Sequence, residues 1–175
     1  MIKKRDKRAI SIMIGYVLLI STAVIMSVVV YQWLKTYVPS ESLECPSEVS
    51  LFIKSYTCDL DELSITLKNN GNFNVAGYLI RASTQEGQEI AATDLSNSLK
   101  EEQGGITYQS SSVLFTGEGD NSLTPNDEAT NVFDVSEIAN IYFIELIPMR
   151  FQTEKNKVRL ASCSGKKIKE EIICE

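Results

Sequence analysis

Lys7-Arg-Ala-Ile-Ser-Ile-Met-Ile-Gly-Tyr-Val-Leu-Leu-Ile-Ser-Thr-Ala-Val-Ile-Met-Ser-Val-Val-Val-Tyr-Gln-Trp-Leu34 is the stretch from which the rest of the chain is read. From Ala9 through Leu34 no residue is charged, and Ile12 to Tyr31 is dominated by Ile, Leu, Val and Met. A helix over this run is roughly 39 Å long, enough to cross a hydrocarbon core of about 30 Å with some tilt. Its Val, Ile and Thr residues are poor helix formers in water, but lipid leaves the backbone no other hydrogen-bond partner, so a spanning helix is the default expectation. Tyr31, Trp33 and Tyr37 stand beside Lys35, where amphipathic rings sit at the headgroup level, and Pro39 is expected to stop the helix.

Outward from that run toward the N-terminus, Lys3, Lys4, Arg5, Lys7 and Arg8 face a single Asp6. Basic segments stay on the cytoplasmic side of a short span, so the N-terminus is expected in the cytoplasm and everything after the helix outside the cell. A cleaved secretory signal peptide is also basic and then apolar. The run exceeds the usual apolar region of about 7 to 15 residues, however, and Tyr31-Gln-Trp-Leu-Lys35 offers no small-x-small cleavage site. Ser11 and Gly15 lie four apart on one helix face, with Thr22 and Met26 along a similar stripe, a spacing that lets two helices approach closely in lipid. Such residues also occur in spanning helices that pack on nothing, so this pattern alone decides little.

Outward in the other direction, a chain of 175 residues leaves room for one globular domain beside the helix. The net charge is −6 and the basic N-terminus makes the remainder more acidic still, which argues against nucleic acid as a partner. Histidine is absent, and with it the usual general base near neutral pH, the commonest zinc ligand and any Ser/His or Cys/His nucleophilic pair. No catalytic, cofactor-binding or metal-binding residues are expected, and the protein is read as a non-enzyme. Cys45, Cys58, Cys163 and Cys174 all follow the apolar run. In an exported domain they pair as disulfides; a zinc site is the rival reading, without a CxxC or a His to support it.

After Pro39 the sequence breaks into short alternating stretches separated by turn residues, the signature of an all-β sandwich or barrel. Strands are predicted at Val49 to Tyr56, Leu63 to Lys68, Ala76 to Ser83, Gly105 to Gln109, Ser112 to Phe115, Ile141 to Ile147, Lys157 to Cys163 and Lys167 to Cys174. Leu63-Ser-Ile-Thr-Leu-Lys68 places its apolar residues on one face, and Asn69-Asn70-Gly71 is suited to the positive φ of a tight turn. If Val49 to Tyr56 is one extended strand, Cys45 and Cys58 lie about 30 Å or more apart, too far for a bridge whose Cα atoms must come within roughly 7 Å. Antiparallel pairing of the two cysteine-bearing segments then predicts Cys45–Cys174 and Cys58–Cys163.

Between Thr84 and Glu137 the chain is rich in acidic and small polar residues, with Lys100 as its one basic residue. The run Thr116 to Glu128 has oxygen ligands for Ca²⁺ but not the carboxylate spacing of a known loop, so a solvated loop is expected. Lys155, Lys157, Arg159, Lys166, Lys167 and Lys169 make the C-terminal strands basic. These features suggest acidic loops of one subunit meeting basic strands of another, or else simply a charged solvent face on an edge strand. No Asn-x-Ser/Thr sequon occurs in the chain, so N-glycosylation is not expected.

The N-terminal stretch Lys7-Arg-Ala-Ile-Ser-Ile-Met-Ile-Gly-Tyr-Val-Leu-Leu-Ile20 resembles the N-terminus of archaeal type IV pilins and of their relatives the archaellins. In that family a short basic leader ends in Arg or Lys plus a small residue, and a Ser-x-x-Ile-Gly stretch opens the helix. Arg8-Ala9 and Ser11, Ile14 and Gly15 supply the match. Ile12 stands where many archaeal relatives have Pro, and Ile14 is not the Glu typical of bacterial pilins. The resemblance implies cutting by a prepilin-peptidase-type leader protease after Ala9, between it and Ile10, and assembly of the freed helices, with membrane and with identical or related subunits as partners. Leu63 to Tyr78 further resembles the paired strands of immunoglobulin-like exterior domains on archaeal surface proteins. The expected organisation is therefore α+β: a basic leader at 1–9, a transmembrane or filament-core helix at 10–38, and an extracellular immunoglobulin-like β-sandwich at 39–175. The expected role is a structural subunit of a pilus-like filament; the alternative is a single-pass exterior protein on an uncleaved anchor. If charged subunit faces meet, association weakens as salt is added, and salt-independent association in a sedimentation experiment contradicts it.

Overall fold

The computed structural model describes residues 7–37, 45–101, 104–138, 140–154 and 156–174, with side chains in the helix from Ile12 to Thr36. The chain divides into two compact units, residues 1–42 and 43–175. The first holds helix α1, Lys7–Tyr37, which starts three positions before the expected Ile10; Pro39 lies outside the described residues. The second is a strand-rich domain, so the architecture is α+β as expected: one helix followed by two β-sheets.

One sheet contains β1 (Leu51–Cys58), β2 (Glu62–Asn69) and β7 (Glu128–Asp134), in the order β1-β2-β7. The other contains β10 (Ile168–Glu171), β8 (Phe143–Glu154), β3 (Gly77–Ser83), β6 (Ser112–Leu114) and β5 (Ile106–Tyr108) in that order. There β4 (Thr93–Asp94) also pairs with β3, and β9 (Lys157–Ser162) with β8. All the strand pairs are antiparallel. β2 shows how alternation builds the core, since Leu63, Ile65 and Leu67 are fully buried while Ser64, Thr66 and Lys68 between them are not. Burying each such side chain contributes about 1.5 to 3 kcal/mol. Val49, Tyr78, Ile80, Phe133, Ile144 and Leu146 complete the centre of the same cluster.

Asn69-Asn70-Gly71 departs from the predicted turn. Asn69 ends β2 with its side chain fully buried; its Nδ2 donates to the carbonyls of Phe73 and Leu123, both at 2.9 Å, and its Oδ1 accepts from the N–H of Gly71 at 3.0 Å. None of the three residues has positive φ. Glycine is needed at 71 for a different reason, because a Cβ there would overlap the Glu48 carbonyl oxygen and lie 2.7 Å from the Ser50 nitrogen. The chain then crosses to the other sheet, so β2 and β3 are not the paired strands that the likeness of Leu63 to Tyr78 implied.

Two strands extend or escape the prediction. β8 runs through Pro148 to Glu154 instead of ending at Ile147. Proline has no N–H to give a neighbouring strand, yet here none is required: β10 pairs only with Phe143 to Leu146, β9 starts pairing at Met149, and Pro148 accepts at its carbonyl from Cys163 at 2.8 Å. β7 lies in the acidic stretch that ends at Glu137, where no strand is predicted between Phe115 and Ile141, its Asn131, Val132 and Phe133 buried between exposed Glu128 and Asp134.

The cysteine pairing differs from the expected one. The bridges are Cys45–Cys163, with Cα atoms 5.1 Å apart, and Cys58–Cys174, at 4.5 Å. The antiparallel assumption fails because β1 and β10 belong to different sheets and run in the same direction, so the first cysteine of one segment meets the first of the other. A bulge makes the second bridge possible. The register of β1 on β2 skips Lys54, between Ile53↔Leu67 and Ser55↔Thr66. Leu51 and Ile53 point into the core before it; without the extra residue, strict alternation would turn Cys58 outward. With it, Cys58 is buried against the facing sheet, and exposed Lys54 pairs with Glu128 at 2.6 Å.

The bridges span 118 and 116 positions, and each alone would stabilise by nearly 5 kcal/mol in the chain-entropy picture. They interlock, however. Once Cys45–Cys163 has formed, Cys58–Cys174 closes a ring of only about two dozen residues, worth roughly 3.4 kcal/mol. Replacing Cys58 and Cys174 together with Ala should therefore lower the unfolding free energy in denaturant by about 3 kcal/mol. A non-reducing peptide map should recover Cys45 with Cys163; recovering it with Cys174 contradicts the parallel arrangement.

Candidate functional site

The apolar surface of α1 is the most distinctive feature of the molecule. Ile12–Thr36 form a 25-residue apolar span. Every described side chain in it is exposed, its large apolar residues by 47% (Leu34) to 71% (Met13). No side of the helix is polar, so none is suited to face water. Removing these side chains from water is worth on the order of tens of kcal/mol, well above the 5 to 15 kcal/mol that typically holds a domain together. Three of its hydroxyls do not need water either. Ser21 donates to the Val17 carbonyl at 2.7 Å, Thr22 to that of Leu19 at 3.0 Å and Thr36 to that of Gln32 at 3.2 Å. Internal bonding of this kind is what a low-dielectric surrounding demands.

The residues singled out in the sequence fall along this helix. Arg8, Ala9 and Ile10, the expected leader junction, have helical backbone near its start. Ser11, Gly15 and Thr22 lie within about 40° of one another around the axis, at about 100° per residue. A Cβ on Gly15 would meet nothing within 4 Å, so the position is an open notch, and the Thr22 hydroxyl is already used within the helix.

In the β domain the four cysteines are all bridged. Among the described residues no group of three or more His, Cys, Asp or Glu side chains is placed to hold a metal ion. In the stretch weighed for calcium, Asp120 accepts from Thr116 at 3.4 Å and Asp127 from Thr124, so both carboxylates bond local hydroxyls. Two of the C-terminal basic residues are used within their own sheet. Lys167 pairs with the buried Glu145 at 2.8 Å, and the Lys169 ammonium sits 3.7 Å from the Phe143 ring centroid. Lys155 lies outside the described residues.

Sequence reasoning missed the polar groups that join the sheets. The Tyr78 hydroxyl, on β3, donates to Asn131 Oδ1, on β7, at 2.7 Å, and both residues are buried. Within the larger sheet, the loop residue Asn121 gives its amide to the carbonyl of Phe151 at 3.0 Å and accepts from its N–H at 2.8 Å, standing in for a strand partner of β8. Asparagine in a stretch rich in polar residues reads as loop, and nothing local reveals that it faces a strand. On the outer face of the smaller sheet, the hydrogen bond from Lys54, with Lys68 close by, holds the Glu128 carboxyl below its ordinary range. Hydrogen bonds from Ser136 do the same for Asp134.

No family model matches the chain, and neither a curated protein nor a solved structure does. The geometry establishes an N-terminal apolar helix of the kind found in membrane anchors and signal sequences, joined in sequence to a doubly bridged two-sheet domain.

Burial raises the Tyr78 phenol well above its ordinary pKa. The folded state then keeps a proton that the unfolded chain releases near pH 10, so the stability this group contributes is intact below that pH and lost as pH rises beyond it. Tyr78→Phe should cost about 1 to 3 kcal/mol at neutral pH, through the unpartnered Asn131 oxygen, and should flatten the fall in stability above pH 10. Denaturant titrations at pH 7 and pH 10.5 check both parts; an unchanged alkaline slope contradicts the assignment.

Proposed function

We propose that this chain is a structural subunit of an archaeal type IV pilus-like surface filament, serving adhesion or motility, with α1 as the assembling element and the β domain outside the cell. The observation that carries the reading is an apolar helix without a water-facing side, opened by Lys7-Arg-Ala-Ile-Ser-Ile-Met-Ile-Gly15. Such a helix has two stable surroundings, lipid before assembly and the side chains of sister helices after it, and both are solvents of the same apolar kind. The Ser11, Gly15 and Thr22 stripe lets backbones approach where helices pack. A leader protease cutting after Ala9 removes the basic segment that otherwise holds the N-terminus at the cytoplasmic surface. The two disulfides support an oxidising destination for the domain.

The second reading keeps α1 as an uncleaved single-pass anchor, and the cluster of Tyr31, Trp33 and Lys35 near its C-terminal end favours it as a headgroup-level collar. The intact mass of protein purified from its native membrane separates the two. Absence of residues 1–9 supports the filament, whereas a retained leader contradicts it in favour of the anchor. Val24→Lys, near the middle of the span, adds about 2.5 to 3.5 kcal/mol to insertion and should reduce the membrane-bound fraction in carbonate extraction. Undiminished membrane retention contradicts both readings.

A further inference from the structure

The β domain carries two unlike surfaces. At one end the turn after β1, the segment after β7 and the residues after β10 meet: the Val135 N–H donates to the Asp61 carbonyl at 2.9 Å, Ile172 N–H to that of Tyr142 at 3.0 Å, and Cys58–Cys174 ties the cluster. A small hollow there is lined by Leu60, Val135, Ile138 and Ile141. Leu60 and Ile173, 77% and 75% exposed, are the most exposed large apolar side chains described in the domain. The same segments carry the exposed carboxylates of Asp59, Asp61, Glu137 and Glu171, with the Lys100 ammonium, paired to Glu62, close to Asp61. Single exposed apolar residues are ordinary, but an apolar centre within a charged rim is the layout of a protein interface.

The other surface is β9, which among the described residues pairs only with β8. Val158, 58% exposed, follows Lys157 on it, with Glu118 lining the same hollow as Val158 and Arg159, and the short 3-10 turn Ser164–Lys166 follows the other end of the strand. Among the described residues Lys157 and Lys166 have no ion-pair partner. β8 measures the separation of the two surfaces. Its first residue, Phe143, lies opposite Glu171 at the acidic end, and its last, Glu154, lies opposite Lys157. At about 3.3 Å per residue that puts Lys157 roughly 35 Å along the strand from the acidic end, while Lys166, which follows Cys163 on the Pro148 carbonyl, stands beside the middle of β8, about half as far away.

We propose that the acidic, apolar end of one β domain docks on the basic β9 edge of a second copy of this chain. The charges are complementary, each side offers exposed apolar surface at its centre, and the contact is heterologous, so it repeats from copy to copy instead of closing a pair. The contact involves the β domain alone and holds whether α1 lies in lipid or among sister helices.

The test uses the full chain in neutral detergent micelles, which cover α1, with association followed by sedimentation equilibrium at low and high salt. Asp59→Lys with Glu171→Lys reverses the acidic end, and Lys157→Glu with Lys166→Glu reverses the basic edge. Each variant alone should associate at least about tenfold more weakly than the parent, with an unchanged Tm, and an equimolar mixture of the two should regain association. Three results overturn the proposal: a parent chain that stays monomeric at low salt, a mixture that fails to regain association, or a loss confined to the edge variant. The last would mark the basic edge as a surface for anionic lipid or detergent-borne partners instead.

Discussion

Water exclusion from α1 governs everything else in this protein. An apolar helix with some two dozen residues and no polar side gains more by leaving water than an entire small domain gains by folding. Where the helix goes is therefore decided before the β domain makes any contact. Hydroxyls at Ser21, Thr22 and Thr36 that bond only to their own helix fit that destination, because a donor without a partner is expensive in an apolar surrounding.

The β domain solves the converse problem, holding a thin two-layer core together in water. Its smaller sheet has only three strands, and hydrophobic packing between the layers is reinforced at points where a shift would be costly. The Tyr78–Asn131 hydrogen bond joins the layers inside the core, and two disulfides join β1 of one sheet to the segments flanking β10 of the other. The Lys54 bulge belongs to this scheme. One extra residue changes which face of β1 points inward, and so lets a strand that begins with Leu51 in the core end with Cys58 in the core as well.

Charge is divided in the domain in a way that its net value hides. Glu145 neutralises Lys167 within the larger sheet, the Phe143 ring takes up Lys169, and Glu128 draws in Lys54 and Lys68 on the smaller one. Of the charges left over, Glu171 lies at the Phe143 end of β8 and Lys157 at its Glu154 end. Exposed pairs add little stability, so such a separation matters more for how copies of the chain meet than for how one copy folds.

The uncharged run from Ala9 to Leu34 by itself determined the helix, and the alternation of Leu63, Ile65 and Leu67 determined that strands follow it, because composition and periodicity are local properties that burial reads directly. The distance argument separating Cys45 from Cys58 also held, since it needed only the length of one strand. Tertiary structure alone decided the rest. Which cysteine met which depended on the relative direction of two strands in different sheets, the inward turn of Cys58 on a one-residue bulge, and the place of β7 on Asn131 finding Tyr78 more than fifty positions earlier. Each is a relation between distant segments, whose energy appears only once both are in place, and no window of neighbouring residues contains it.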